Sequence, residues 1–482
     1  MSSLRKKTLS GLFWTVIDMF VLRGMSFLST VILARWLGPE EFGLVGMIAV
    51  FIAIGSTIMD SGMSASLIRM KNAQEQDYST VFLLNLGLST VFYLLIFLAA
   101  PFISDFYSQP VLTDLVRVYA LSFIIGALSA VQLAILNNRM EFKRIMKQNM
   151  PGTIIGVATG ITLGYLGFGV WSIVFMYLTM QTIQSLVLWI RSDWKPSFTF
   201  SNERAKFHFG FGYKLMLSGL LNTVFQNIYN IIIGRFYSVR ELGFFERSKA
   251  FNDYPVNILT SVMTKVTYPL LSGIQSEKER ISQVYRKIMR LAFFITCPLM
   301  FGAAAIAYPL FDLVLGREWI AAVPYFQILC LSSIFYPIHA FNLNVFKVYG
   351  RSELFLKLEI LKKTLIVVGL LIGFQFGIMG LVWSSVICNY LALFINTYYS
   401  AEMINYSGRR QFMDMLPTFV TAGLMFGGTY YVMNTFSNMN SLGLIALGGI
   451  LSTLIYIGLN YLIKSEPLTY GLLILKKKNI TT

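Results

Sequence analysis

From residue 11 to residue 463 the chain is a near-unbroken succession of apolar runs. At ~1.5 Å of rise per residue, a helix of ~20 residues crosses the ~30 Å hydrocarbon layer of a bilayer. Inside that layer backbone polar groups have no water, so spanning segments of this length are read as helices. Spans are expected near residues 11–36, 42–68, 79–103, 113–136, 150–167, 170–190 and 212–236. They continue near 242–271, 288–315, 320–346, 355–375, 378–400, 415–434 and 442–463. The expected fold class is therefore an all-α polytopic membrane protein of about 14 helices. Composition agrees: 13% of the 482 residues are charged, about half the share in a soluble domain. The first apolar run follows Arg5, Lys6 and Lys7 without a small-residue cleavage site, so it reads as an uncleaved span. Cys297, Cys330 and Cys388 lie inside apolar runs with no ligand or pairing pattern and read as core hydrophobes.

A net charge of +16 raises the question of nucleic acid, but its distribution answers it. With the N-terminus cytoplasmic, 30 of the 39 lysines and arginines fall on the inner side, against five outside: Arg35, Arg117, Arg235, Arg240 and Arg317. That bias is the positive-inside rule, and it places both termini in the cytoplasm. The membrane, not nucleic acid, is the expected partner.

The stretch ILARWLGPEEFGL at Ile32–Leu44 has an ungapped echo 200 residues later, IIGRFYSVRELGF at Ile232–Phe244. Ile32, Arg35, Glu41 and Gly43 match Ile232, Arg235, Glu241 and Gly243. A second, weaker echo pairs GFGVWS at Gly167–Ser172 with GLVWS at Gly380–Ser384. Both motif copies end one span and begin the next, and an even number of spans separates them. The chain thus reads as two parallel six-helix repeats around a central lumen, followed by two extra C-terminal helices. Residues 1–191 form the expected N-terminal lobe, 192–211 a cytoplasmic linker and 212–400 the C-terminal lobe. Residues 401–482 then hold helices 13 and 14 and a basic cytoplasmic tail.

Charges inside spans are costly, about 2.5–3.5 kcal/mol each at mid-bilayer on insertion scales, and mark cavities or partners. Arg23, Arg247, Lys249 and Lys265 are such bases, and Asp18, Asp60, Glu246 and Asp253 such acids. Arg23 suits either a lumen role or a structural ion pair with Asp18 or Asp60. Glu246, Lys249 and Asp253 recur at i, i+3, i+7 and share one helix face, where mutual neutralisation is the alternative to function. Lys265 can snorkel to the inner headgroups. The motif residues Arg35, Glu41, Arg235 and Glu241 read as hairpin braces or headgroup anchors. In the seventh span Asn222, Gln226 and Asn230 recur at i, i+4, i+8, flanked by Ser218, Thr223 and Asn227. Ser26 and Thr30 occupy the equivalent positions of the first span. Amides offer a donor and an acceptor each and suit sugar hydroxyls, and interhelical hydrogen bonding is the plainer alternative. His208 and His339 are expected to make local hydrogen bonds. There is no Walker A loop, no nucleophile–base spacing and no metal-ligand pattern, so no cofactor and no enzyme chemistry are expected.

With ILARWLGPEEFGLVGM following a basic start and a Trp14-bearing first span, the chain resembles the Wzx-type polysaccharide flippases. It is similar in particular to the lipopolysaccharide, colanic-acid and teichuronic-acid exporter branch of the MOP exporter superfamily. The resemblance implies two six-helix lobes in a V, with spans 1, 2, 7 and 8 lining the lumen. It also implies an undecaprenyl-pyrophosphate-linked oligosaccharide as substrate, the bacterial cytoplasmic (inner) membrane as location, and glycosyltransferases and a polysaccharide polymerase as neighbours. Arg23 and Arg247 are then the candidates for the diphosphate, and Lys249 lies on the same helix as Arg247. Asp18 and Asp60 are candidates for a coupling H+ or Na+. A drug antiporter of the same superfamily is the alternative. A membrane-embedded glycosyltransferase or polymerase fits less well, since no extramembrane loop is long enough to carry its catalytic residues.

Overall fold

The structure, a computed structural model, describes residues 2–60, 62–70, 73–197, 199–275 and 277–470. Among these residues there are α-helices and one short 3-10 helix, and no strand. They divide into two compact units, Met1–Gly243 and Phe244–Thr482.

The first unit opens with α1 (Ser2–Asp60) and α2 (Met63–Arg69), followed by α3 (Glu75–Tyr107) and α4 (Leu112–Tyr119). Next come α5 (Leu121–Asn138), α6 (Phe142–Tyr165), α7 (Trp171–Arg191), α8 (Asn202–Gln226) and α9 (Ile228–Phe236). The unit boundary falls inside α10 (Val239–Gly273). Helix α1 is two limbs joined at Gly38, whose φ of 76° and ψ of 177° only glycine adopts readily. Pro39 then starts the second limb, where its missing N–H costs nothing. The second limb ends before Gly62, which sits in the left-handed region at φ 66° and precedes α2. So the expected second span is itself broken near its inner end.

Helices α6 and α7 approach closely because α6 presents a row of glycines. A Cβ at Gly152 would lie 2.6 Å from the Met180 carbonyl oxygen, and one at Gly156 2.8 Å from that of Met176. A Cβ at Gly160 would lie 2.7 Å from the Met176 Cβ. In lipid there is little hydrophobic drive between helices, so this small-residue spacing, with its dispersion contacts, is what holds such a pair. Met63, Leu67, Val81, Phe82, Val131, Ala134 and Ile135 form a buried cluster between α2, α3 and α5, capped by Trp189 and Trp194.

Helices α8 and α9 pack against α1, α2 and α3 within this first unit. The expected C-terminal lobe begins at residue 212, whereas by packing residues 212–243 belong to the first unit.

The second unit continues with α11 (Lys278–Ala305), α12 (Ala307–Val314), the 3-10 helix Arg317–Ala322, α13 (Val323–Ser333) and α14 (Tyr336–Val348). It is completed by α15 (Ser352–Phe374), α16 (Gly377–Ile404), α17 (Gly408–Thr435) and α18 (Ser441–Leu462). Phe335 stacks on Phe293 and Phe419 at centroid distances of 5.2 and 6.2 Å. The last two helices are docked on this core, α17 against α11 and α18 against α12. A polar knot sits beside it. Tyr285 donates to Asn342 Oδ1 at 2.5 Å, Ser400 donates to the same oxygen at 2.9 Å, and Asn342 donates to Thr397 at 3.1 Å. The three cysteines are free and buried, as expected.

Eight described segments are long and apolar enough to cross a membrane, Phe20–Ile58 among them as one segment broken at Gly38. Helices α8 and α10 are not in that set, and they carry Asn222 and Gln226 of the amide stripe and the charge cluster.

Candidate functional site

The two motif copies interrupt a helix at the same place but with different backbones, Gly38 alone standing in the positive-φ region. The first breaks at Gly38 and restarts at Pro39. The second breaks at Tyr237 and Ser238 and restarts at Val239. Where the first break relies on glycine, the second is capped: the Ser238 hydroxyl accepts from the Glu241 N–H at 3.2 Å, the Ser-x-x-Glu arrangement of a helix start. The copies also touch each other reciprocally. A Cβ at Gly43 would overlap the Val239 carbonyl, and a Cβ at Gly243 would overlap the Pro39 carbonyl. Residues 39 and 239 are themselves equivalent, so one close contact is made twice.

The braces read from the motif have different partners. Glu41 accepts from the Val170 N–H at 2.7 Å, at the first turn of α7. A carboxylate there satisfies an orphan amide and meets the positive end of the helix dipole. Gly169, at φ 53°, leaves room for it, since a Cβ would stand 2.9 Å from Glu41 Oε1. The GFGVWS echo is thus the receptor of the first motif's acid. Arg235 donates to the Phe106 carbonyl at 2.6 Å and lies 5.2 Å from the Phe106 ring centroid, tying α9 to the end of α3. Arg35 is exposed and Glu241 half-buried.

The amide stripe straddles a break. Helix α8 ends at Gln226, Asn227 leaves helical geometry at φ −106° and ψ 5°, and α9 starts at Ile228. The Asn227 side chain donates back to the Thr223 carbonyl at 2.8 Å. Ser218, Asn222 and Gln226 are exposed, while Asn230, beyond the break, is buried at 2%. The six polar residues are therefore not one face with one role. Thr223 meets Thr57 of the second limb of α1 at 2.9 Å and makes the packing seam. On the first limb Arg23 is exposed. Ser26 is half-buried and donates to the Leu22 carbonyl at 3.1 Å. Thr30 is buried and donates to the Phe27 carbonyl at 2.8 Å.

In the second unit Glu246, Arg247, Lys249 and Asp253 are all half-buried on the uninterrupted helix α10, where the i, i+3, i+7 spacing puts Glu246, Lys249 and Asp253 on one face and Arg247 beside it. Asp253 lies within electrostatic reach of both Lys249 and Glu246. Asn252 holds that acid in place. Its amide donates to Asp253 Oδ1 at 3.1 Å and to Ser333 Oγ of α13 at 2.7 Å. Asn252 was not singled out in the sequence, where an amide beside a charge looks like ordinary helix surface. The side chains of Asp18, Asp60 and Lys265 lie outside the described residues, as do those of Arg5, Lys6, Lys7, Lys71 and Lys476–Lys478.

The histidines correct an expectation, because their bonds are not local. His208 Nδ1 lies 2.8 Å from Ser66 Oγ, and its Nε2 lies 3.2 Å from Asp77 Oδ1. Arg204, one turn earlier on α8, donates to both Asp77 oxygens at 3.0 and 3.2 Å and to Gln74 at 3.1 Å. Asp77 and His208 are fully buried. The cluster locks the first turns of α8 to α2 and α3. His339 Nδ1 pairs with Asn396 of α16 at 3.2 Å. Ser66, His208 and Asp77 have the residue types of a nucleophilic triad, but all three are buried, which gives no path to a substrate. Among the described residues no group of histidines, cysteines or acids is arranged to hold a metal ion.

Residues 32–324 match the family described as polysaccharide biosynthesis protein. The teichuronic acid biosynthesis protein TuaB of Bacillus subtilis (strain 168) is 25% identical over 362 residues, covering 73% of this chain and 74% of its own. The lipopolysaccharide biosynthesis protein WzxC of Escherichia coli (strain K12) is 22% identical over 414 residues, covering 85% and 84%. Among solved structures, the lipid II flippase MurJ in an inward closed conformation matches with a TM-score of 0.76 at 14% identity, over 94% of this chain and 98% of that one. That likeness is one of fold.

Proposed function

The chain belongs to the polysaccharide biosynthesis protein family, and on that premise we propose that it flips an undecaprenyl-pyrophosphate-linked oligosaccharide. The movement runs from the inner to the outer leaflet of the bacterial cytoplasmic membrane and serves cell-surface polysaccharide assembly. The protein is a multi-pass membrane transporter and not an enzyme. The observation that carries the reading is the exposure of Asn222 and Gln226 beside a break in a helix embedded among spans. An amide facing hydrocarbon would cost several kcal/mol, roughly 4–8 on alkane transfer scales, so an exposed pair supports a watered passage. Broken helices with polar residues at the break are a recurrent way to line such passages. Exposure of Arg23 supports the same reading, since a lipid-facing guanidinium at that depth is costlier still.

In this account the amides hold sugar hydroxyls, and Arg23, Arg247 and Lys249 offset desolvation of the pyrophosphate. The polyprenyl tail remains in lipid. Access alternates, and outward opening parts the reciprocal contacts of Gly43 and Gly243. An inside-negative potential favours outward movement of the anionic head, by about 2.3 kcal/mol per charge per 100 mV. Where H+ or Na+ contributes, Asp18 and Asp60 are its sites. Glycosyltransferases supply the substrate inside, and a polymerase consumes it outside.

The test uses full-length protein in proteoliposomes loaded with a lipid-linked oligosaccharide, with lectin accessibility as readout. Wild type should expose the glycan, and Arg23→Ala and the pair Asn222→Leu, Gln226→Leu should each slow exposure at least tenfold. Full flux in both variants would remove these residues from the mechanism. Exchange of a cationic dye for H+ or Na+, with no glycan movement, would establish the antiporter instead.

A further inference from the structure

A second polar cavity lies inside the first unit, apart from the amide stripe. It occupies about 190 Å³ between the end of α5, the start of α6 and the chain after α7. Gln132 and Gln148 line it at 2% and 1% exposure, and neither the amide nitrogen nor the amide oxygen of either has a hydrogen-bond partner among the described residues. Leaving four such atoms buried and unmet is costly, so an occupant with both donors and acceptors is expected. Bulk water reaches the mouth, where the Arg139 and Asp193 side chains are 54% and 69% exposed. Arg144 spans mouth and wall, donating to Asp193 Oδ2 at 3.0 Å.

The lining fixes the chemistry of the occupant. Arg144 is matched by Glu141 at 3.3 Å and Asp193 at 3.0 Å, whereas Arg139 stands 4.0 Å from Asp193, so Arg139 is the guanidinium placed to meet an anionic phosphate ester. The paired amides at the floor want hydroxyl groups, which give and accept as they do. At ~30 Å³ per water the volume equals about six waters, the scale of a glycerol headgroup and not of an oligosaccharide. Nearby Trp189 and Trp194 and the basic residues Arg139, Arg144 and Arg191 at the helix ends around the mouth are features of a membrane–water boundary. We propose that this cavity binds a hydroxylated phosphate ester, with the glycerophosphate headgroup of an anionic phospholipid as its occupant. Arg139 takes the phosphate, and Gln132 and Gln148 take the hydroxyls.

The experiment uses purified full-length protein in detergent, with native mass spectrometry and thermal shift. The probes are phosphatidylglycerol, phosphatidylethanolamine and glycerol 3-phosphate. Phosphatidylglycerol should be retained and raise the melting temperature, phosphatidylethanolamine at least tenfold more weakly. The pair Gln132→Leu, Gln148→Leu should lose that preference while melting no lower without lipid, because leucine leaves no buried amide unmet. Should that pair fail to fold, Arg139→Gln at the exposed mouth should weaken phosphatidylglycerol at least tenfold. Response to glycerol 3-phosphate alone would keep the chemistry and assign a soluble source. Equal response to every probe, or a preference untouched by these substitutions, would overturn the site.

Discussion

Replacing Asp77 by alanine should be among the most damaging single changes in the first unit. The carboxylate is fully buried and accepts from Arg204 Nη1 at 3.0 and 3.2 Å and from the Gln74 N–H at 2.8 Å, with His208 Nε2 at 3.2 Å. Its removal strands a fully buried imidazole nitrogen and a guanidinium that is only 30% exposed. Breaking a buried pair by deleting one partner costs about 3–5 kcal/mol. Partial exposure of Arg204 lets water repay some of its share, which argues for the lower half, ~3–4 kcal/mol. At 1.36 kcal/mol per decade this shifts the folding equilibrium by roughly 150- to 900-fold. Chemical denaturation in micelles, followed by tryptophan fluorescence, reads it locally, because Trp194 packs on Tyr78 at 6.0 Å. The cycle with Arg204→Met separates pairing from packing: the double variant should cost less than the two singles added. A loss below about 1 kcal/mol for Asp77→Ala, or strict additivity, would refute the clamp.

Gly43→Ala and Gly243→Ala should destabilise similarly, by about 1–3 kcal/mol each, since each adds a Cβ to one of two equivalent contacts. A large effect at one and none at the other, measured by thermal melting, would contradict their reciprocity. Glu41→Ala should cost about 0.5–2 kcal/mol, the range for losing a helix cap, whereas Glu41→Gln, which keeps an acceptor for the Val170 N–H, should recover most of it. Burial pushes Asp414 up, but the Arg286 guanidinium at 2.7 Å and the Tyr406 hydroxyl outweigh it and hold the carboxyl below the usual range. A depressed acid contributes stability that is present above its unfolded value of ~3.9 and lost as pH falls through its lower folded value. Melting temperature should therefore fall below about pH 4, and Asp414→Asn should flatten that slope. An unchanged slope would show that the pair carries no linkage.

Features written locally in the sequence survived into the structure. The breaks at Gly38 and Ser238 and the motif spacing depend on a few adjacent residues, and they lie where the pattern puts them. The shared face of Glu246, Lys249 and Asp253 follows from helix geometry alone. Features that depend on partners far along the chain were invisible. Asp77 reads as a helix-start residue until Arg204 and His208, more than a hundred positions away, close on it. The GFGVWS echo was visible as a pattern, but its role as the receptor for Glu41 needed the fold. The amide stripe was legible as polar, yet only burial divides it into exposed Asn222 and Gln226, the seam residue Thr223 and the buried Asn230. Gln132 and Gln148 carried no signal at all, the first a single glutamine in an apolar run and the second one more polar residue in the basic stretch between two spans.

The central claim is tested most directly by the lipid-linked oligosaccharide pool of a strain lacking this gene. The account predicts that intermediates accumulate on the inner leaflet, that surface polysaccharide disappears, and that a plasmid copy restores both while an Arg23→Ala copy does so poorly. An unchanged intermediate pool with normal surface polysaccharide would contradict it.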